Sequence, residues 1–378
     1  MTLQQGSTTG PGSTSPAPSV RQLTSQWTAG PAIPALSVAI GLIIGAVFVA
    51  ASGNDPLRAY AALLQGAFGT PYDITETIVS AIPLTLTGLS VALAFRTGLF
   101  NIGAQGQLLV GALAAGWAGS QFALLPGLLL LPIVIAFGIG GGAFYGAIVG
   151  LLKALRGVNE VITTIMLNYT VVFVMHWLLQ NGPMTAQNAL GTPASTPIGA
   201  GARLPVILPN DIVPFSRLHA GVILAGLAVL AFWFLLWRTP LGYRLRAVGL
   251  GAQAAAQAGI DPAAHMVLVM ALAGGFAGLG GMIEVSGVFG RVYDGFSSSY
   301  GFDAIAVALL GKNSPLGIVA AALLFGAFVH GGAFMQSSAG ISSNLVAIVQ
   351  AVVLFVIAAE ALVRSLGRRR RKPVEAIA

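Results

Sequence analysis

The sequence predicts an all-α integral membrane protein with about nine full transmembrane helices and one broken or half-length crossing. Of its 378 residues, 56% are hydrophobic and only 8% are charged, whereas a soluble domain averages roughly 25% charged residues and needs them to cover its surface. Apolar stretches of about 20 residues, the length that spans a bilayer, recur along the chain. The 50 glycines suit membrane helices whose backbones approach closely.

The full crossings are predicted at residues 33–52, 74–95, 99–119, 122–152, 161–180, 218–237, 265–286, 315–336 and 343–363. Residues 297–314 are also apolar, but this segment is short and carries Asp303. We expect it to cross as a broken or half-length segment. Irregular backbone at membrane depth is tolerated only where it is buried in protein or lines a water-filled cavity.

The distribution of basic residues predicts that both termini face the cytoplasm. With the N-terminus inside, 14 of the 18 basic residues lie on the inner side, as the positive-inside rule requires. These are Arg21, Arg96, Lys153, Arg156, Arg238, Arg244, Arg246, Lys312, Arg364, Arg368, Arg369, Arg370, Arg371 and Lys372. Residues 1–31, rich in Ser, Thr, Gly and Pro, are predicted to be a disordered tail. Residues 366–378 form a basic cytoplasmic tail that favours anionic membrane lipid rather than nucleic acid.

Several chemistries are excluded or disfavoured by composition. The chain has no cysteine, and its four histidines are far apart in sequence, so a metal site is not expected. The only Gly-Lys pair, Gly311–Lys312, is followed by Asn313, which does not fit an ATP-binding P-loop. No catalytic set converges in any segment. We therefore expect neither an enzyme nor a cofactor bound by this chain.

Uncharged amides interrupt the apolar stretches at two places. Asn101, Gln105 and Gln107 stand among three glycines, and Asn168 precedes Tyr169 inside a predicted span. A buried amide without a partner costs a few kcal/mol in an apolar medium. These side chains must therefore bond either to other helices or to a solute, and the sequence leaves the two alternatives equally open.

Two further patterns concern packing and docking. Four glycines spaced by four residues, from Gly138 to Gly150, predict one face of close helix contact. The inner loop 238–264 carries Arg244 and Arg246, and it contains a predicted short helix, 252–258, that is closed by Gly259. Such a helix is either a docking element or a plain connector.

Taken together, these segments resemble the permease subunits of bacterial ABC importers of the branched-chain amino acid/ribose-type family, in the nucleoside and simple-sugar branch. The motifs are "FRTGLFNIGAQGQ" (95–107), "NEVITTIMLNY" (159–169), "LGYRLRAVG" (241–249) and "GFDAIAVALLGKNSPLG" (301–317). The resemblance covers roughly residues 35–365, so that 32–365 would form the permease domain. The branch often has Glu at the position of Gln105 and charged or aromatic residues near Leu250, Ala256 and Gln257.

The resemblance implies a multi-pass permease of the bacterial inner membrane that imports a nucleoside or a simple sugar. It would work with a paralogous permease, two cytoplasmic ATPases that hold the ATP, and an extracellular solute-binding protein. Asn101, Gln105, Gln107, Asn168 and Tyr169 would border the solute path. The ATPase would contact the inner loop through Arg244, Arg246, Ala255 and Gly259. The alternative is a secondary active transporter of a small polar solute, which requires ion-coupling carboxylates at membrane depth such as Glu284 or Asp303.

Overall fold

The computed structural model describes residues 32–186, 191–209, 211–297, 299–342, 344–352 and 354–356. The predicted tails, 1–31 and 366–378, lie outside this part of the chain. Its helices are α1 (Ala32–Ala51), α2 (Pro56–Phe68), α3 (Pro71–Arg96), α4 (Ala104–Gln121), α5 (Gly127–Arg156), α6 (Glu160–Gln180), α7 (Gly221–Arg238), α8 (Pro240–Leu250), α9 (Ala252–Gln257), α10 (Pro262–Ile283), α11 (Tyr300–Leu310), α12 (Pro315–Ala339) and α13 (Asn344–Val356).

Six helices in the described residues are long and apolar enough to cross a membrane. They are α3, α5, α6, α7, α12, and α10 together with its π-helical extension Glu284–Phe289. Shorter apolar helices are Val38–Ala51 within α1, α11, and α13. The predicted class, an all-α integral membrane protein, is therefore confirmed, whereas the count of nine full crossings is not.

Three local features differ from the sequence prediction. The span predicted to start at residue 99 begins as a helix only at Ala104, because residues 97–103 leave the helical path. Helix α2 was not predicted, although Asp55 caps it by accepting from the backbone N–H of Leu57 (2.9 Å). Helix α8 was also missed. Its first turn is capped by Thr239, whose Oγ1 accepts from the N–H of Gly242 (3.0 Å).

The centre of the fold is a glycine-lined contact between α5 and α10, as the four-residue glycine spacing predicts. A Cβ at Gly142 would lie 2.2 Å from the carbonyl oxygen of Gly274, and one at Gly146 would lie 2.1 Å from that of Met270. Helix α4 joins the same contact, since a Cβ at Gly111 would lie 2.3 Å from the Cα of Gly278. These three helices pack at backbone distance, which only residues without a large side chain permit.

The described residues between α6 and α7 lie over one end of the helix bundle. It contains a two-stranded antiparallel pair, β1 (Thr185–Ala186) and β2 (Ala194–Ser195). Ser195 donates its N–H to the carbonyl oxygen of Val292 (2.8 Å), and Gly199 donates to that of Gly119 (2.9 Å). We call this the loop end of the bundle. The opposite end, where α3 and α7 finish at Arg96 and Arg238, is the arginine end.

Candidate functional site

The amide cluster begins with a break in the backbone between α3 and α4. Gly98 has a φ of +75°, a conformation that glycine adopts readily and other residues rarely do. The chain reverses direction at this point, and residues 99–103 run back alongside α3 until α4 starts at Ala104. The side chain of Ser90, which bonds to the break, precedes the end of α3 by six residues, or about 9 Å. Helix α4 therefore starts inside the bundle and not at its surface.

Asn101 and Gln107 hold the break together through a reciprocal amide pair. The Nδ2 of Asn101 donates to Oε1 of Gln107 (2.9 Å) and to Oγ of Ser90 (3.0 Å). The Nε2 of Gln107 donates back to Oδ1 of Asn101 (3.1 Å). Both amides are 0% exposed. The pair thus fastens the irregular segment to α3 on one side and to α4 on the other without placing a charge in the membrane.

Asn168 of α6 satisfies two backbone groups of the same break. Its Oδ1 accepts from the N–H of Gly106 (2.9 Å), and its Nδ2 donates to the carbonyl oxygen of Ile102 (2.9 Å). The N–H groups in the first turn of a helix have no partner within the helix. Asn168 therefore supplies one of the partners that α4 needs in order to start at this depth.

Gln105 connects the start of α4 to the start of α11. Its Oε1 accepts from the N–H of Gly301 (2.8 Å), and its Nε2 donates to the carbonyl oxygen of Ser297 (2.6 Å). The approach requires glycine, because a Cβ at Gly301 would lie 2.2 Å from the backbone nitrogen of Gln105. Two helix N-termini thus meet within the bundle, and one neutral amide bridges them.

The structure brings together four of the five predicted path residues, Asn101, Gln105, Gln107 and Asn168, and separates the fifth. Tyr169 is 58% exposed and points away from the cluster that its neighbour Asn168 enters. Sequence reasoning did not single out Ser90, Ser297 or Gly301, which complete the network. A lone serine in an apolar span carries no signal of its own, while Gly301 lay inside a recognised motif without an assigned role.

The residues predicted to contact the ATPase differ in how far they are exposed. Helix α9 and the turn at Gly259, with a φ of +80°, are where the sequence predicts them. Arg244 is exposed and Arg246 is half-buried. Ala255 is 4% exposed, so its methyl group packs inside the chain and holds α9 in place. The exposed alanines of α9 are Ala254 and Ala256.

An ion pair with a buried carboxylate lies at the loop end, together with a buried histidine. Arg217 donates to the carboxylate of Glu76, which is 1% exposed, through its side chain and through its backbone N–H (3.3 Å). His219 is 0% exposed, and its Nδ1 accepts from the N–H of Gly221 (3.1 Å). Burial, reinforced by the positive charge of Arg217, lowers the pKa of His219 to about 4. The ring is therefore neutral at physiological pH.

Comparison with known proteins assigns this architecture to a family. A family model described as branched-chain amino acid transport system / permease component matches residues 74–358. The guanosine ABC transporter permease protein NupP of Bacillus subtilis is 38% identical over 342 residues, which cover 90% of this chain and 97% of that protein. The glucose ABC transporter permease protein TsgB13 of Haloferax volcanii is 38% identical over 334 residues, covering 86% and 87% of the two chains.

A second guanosine ABC transporter permease protein of Bacillus subtilis, NupQ, is 28% identical over 264 residues, which cover 67% of this chain and 79% of that protein. No solved structure matches the chain. Permeases of this kind are multi-pass proteins of the inner membrane, work with ATPase and solute-binding subunits, and are not themselves enzymes. The chain belongs to the branched-chain amino acid transport permease family and is a membrane permease component of an ABC importer.

Proposed function

We propose that this chain forms part of the membrane path through which a nucleoside or a simple sugar is imported. The observation that carries the proposal is the 38% identity, over nearly the whole length, to permeases named for guanosine and for glucose. Both solutes are uncharged and rich in hydroxyl groups. A path lined by neutral hydrogen-bonding groups and aromatic faces suits them better than a path lined by charges.

The amide cluster is proposed to shape a wall of this path. Irregular backbone at membrane depth is stable only beside protein or a water-filled cavity, and here the starts of α4 and α11 meet at such a point. The four amides are already bonded within the chain, so we assign them first to holding the broken helices in position. Tyr169, exposed on the adjacent face, provides an aromatic surface on which a base or a sugar ring can stack.

The inner loop is proposed to transmit force from the ATPase. Helices α8 and α9 lie at the arginine end, and they expose Tyr243, Arg244, Leu250 (93% exposed), Ala254 and Ala256. Small side chains on a short, tightly attached helix favour a close fit into a cleft of another subunit. Arg244 lies at the edge of this surface, where an ion pair with an acidic group contributes only about 0–1 kcal/mol. Shape therefore matters more than charge.

The partner permease is proposed to be a second, different chain. Two different proteins of Bacillus subtilis are each named as a guanosine ABC transporter permease protein, and both are similar to this chain, at 38% and 28% identity. We also propose that both termini face the cytoplasm. If α1, α3 to α7 and α10 to α13 each cross once, the ten crossings return the chain to the side where it began.

Uptake by the complete complex tests the function. The permease pair, its ATPases and its binding protein are reconstituted into vesicles with ATP on the ATPase side, and entry of labelled guanosine and labelled glucose is measured. We expect ATP-dependent uptake of one solute, which unlabelled members of its own class inhibit. Uptake that needs an ion gradient but no ATP would indicate the secondary transporter instead. ATP-driven uptake of an amino acid with neither of these solutes would refute the solute class.

A further inference from the structure

Three arginines from different helices converge at the arginine end of the bundle. Arg96 ends α3, Arg238 ends α7, and Arg246 lies in α8. Helix α8 is packed against both of the other helix ends. A Cβ at Gly249 would lie 2.6 Å from the carbonyl oxygen of Arg96, and one at Gly242 would lie 2.0 Å from that of Leu235 in α7. Close backbone packing therefore fixes the helix segments that carry the three arginines against one another.

Two of these arginines stack on tryptophan rings. The Cζ of Arg96 lies 5.3 Å from the ring centroid of Trp237, and the Cζ of Arg238 lies 5.1 Å from that of Trp233. Trp233 and Trp237 are four residues apart, so they share one face of α7. They are 41% and 38% exposed. Exposed tryptophans near the end of a membrane helix are typical of the level at which lipid headgroups lie.

The positive charge of the cluster has no acidic partner in the described part of the chain. None of the ion pairs found there involves Arg96, Arg238 or Arg246. Arg96 donates from Nε to the carbonyl oxygen of Asn313 (3.2 Å), which orients its guanidinium and leaves the outer N–H groups available. The Nη1 of Arg246 is buried and has no acceptor among the described residues. A bound anion would accept hydrogen bonds from these unpaired guanidinium N–H groups.

We propose that this cluster binds the phosphate of an anionic phospholipid headgroup. Guanidinium groups bind phosphate oxygens through paired, charge-assisted hydrogen bonds, and basic pockets between membrane helices bind such headgroups. The exposed tryptophans favour a lipid over an acidic side chain of the ATPase as the ligand of this cluster. They expose apolar surface beside the arginines, and the same helix continues with exposed Leu230 and Phe234, along which an acyl chain can lie.

Native mass spectrometry of the intact complex tests the proposal. After washing in detergent, the complex is titrated with phosphatidylglycerol or with phosphatidylcholine, and the bound lipid is counted. We expect the wild type to retain phosphatidylglycerol at least several-fold better than phosphatidylcholine. Arg96→Gln with Arg246→Gln, and separately Arg238→Gln, should abolish this preference. Arg156→Gln is the matched control, because this exposed arginine at the end of α5 lies outside the described contacts and should leave the preference unchanged.

Three outcomes would overturn the proposal. The first is equal retention of both lipids by the wild type. The second is displacement of phosphatidylglycerol by millimolar inorganic phosphate, which would make the site one for a soluble anion. The third is unchanged lipid retention with loss of the ATPase subunits in the arginine variants. Arg238→Gln guards against misfolding, since this exposed side chain makes no hydrogen bond in the described structure and its lipid preference can be read in a normally assembled complex.

Discussion

At the scale of single residues, the amides and glycines around the break between α3 and α4 have one common cause. A helix that starts inside a membrane leaves backbone N–H groups without water, and each needs an acceptor. Asn168 supplies the acceptor for Gly106, the third residue of α4, and Gln105 supplies the acceptor for Gly301, the second residue of α11. Gly106 and Gly301 have no side chain, which leaves room for Asn168 and Gln105 to approach their backbone N–H groups. Amides serve where carboxylates would add a charge.

Asn168 provides the clearest test of this role. Replacing it by Leu removes the acceptor for Gly106 and the donor to Ile102, and an unsatisfied buried group costs about 1–3 kcal/mol. We expect Asn168→Leu to lower the melting temperature of the purified complex by several degrees. Thr170→Leu, an exposed position one half-turn further along α6, should change it little. A normal melting temperature with abolished uptake in Asn168→Leu would instead assign the amide to the solute.

His219 predicts a pH dependence at the loop end. Its folded pKa of about 4 is below its ordinary value of 6.5, so between these values the unfolded chain binds a proton that the folded chain does not. Stability therefore falls as the pH is lowered from about 6.5 to 4, by about 2–3 kcal/mol in all. Melting curves across this range measure it.

A variant separates this effect from the titration of carboxylates. Asn at position 219 places an acceptor where the Nδ1 of His219 receives the N–H of Gly221, but it does not titrate. His219→Asn should flatten the pH dependence between 6.5 and 4, whereas the control His265→Asn should not. If both variants follow the wild-type curve, the histidine is not held neutral by the fold.

At the scale of elements, the contact between α5 and α10 offers a matched pair of glycines on one helix. A Cβ at Gly142 would lie 2.2 Å from the backbone of Gly274, whereas one at Gly140 would meet no atom within 4 Å. Overpacking costs about 1–3 kcal/mol. We expect Gly142→Ala to lower the melting temperature and Gly140→Ala to leave it unchanged or raise it slightly. Equal melting temperatures for the two variants would mean that α5 and α10 can move apart without a loss of stability.

The short helix α9 offers a second pair. Ala254 is exposed and Ala255 is buried. If this helix enters an ATPase cleft, Ala254→Trp should leave the permease folded yet reduce solute-stimulated ATP hydrolysis, because the ring does not fit the cleft. Ala255→Trp should destabilise the inner loop itself and lower the melting temperature. Normal stimulated hydrolysis in a stable Ala254→Trp complex would make the loop a connector only.

How much of these elements the sequence could predict depends on the length of the pattern. The long spans and the glycine face of α5 follow from periodicity and were predicted. The helices α2 and α8, of 13 and 11 residues, were missed because they are too short for a span and carry polar residues between the apolar ones. The predicted spans 74–95 and 99–119 leave a short connection at Gly98, but the turn back into the bundle depends on contacts with Ser90 and Asn168 that no local pattern contains.

At the scale of the whole molecule, the path of the chain through the bundle depends on whether the segment that contains α11 passes from one end to the other. Its 11 residues make a helix of about 17 Å, shorter than a bilayer core of about 30 Å. Even so, Val292 before it bonds to the loop end at Ser195, and Asn313 after it bonds to the arginine end at Arg96. Val292 and Asn313 therefore lie at opposite ends of the bundle, and the irregular residues 293–297 before α11 supply part of the length that the helix lacks.

This threading, together with the predicted placement of 14 of the 18 basic residues on the inner side, predicts that the arginine end faces the cytoplasm. A reporter fused after Lys372 should be active inside the cell, and one inserted next to Gly191, in the loop at the other end, should be active outside. The control is an insertion after Gly259, in the inner loop, which should match the Lys372 fusion. If the Lys372 reporter were outside while the Gly259 reporter stayed inside, an odd number of passages would separate them, and the passage of 293–313 would be the first to be withdrawn.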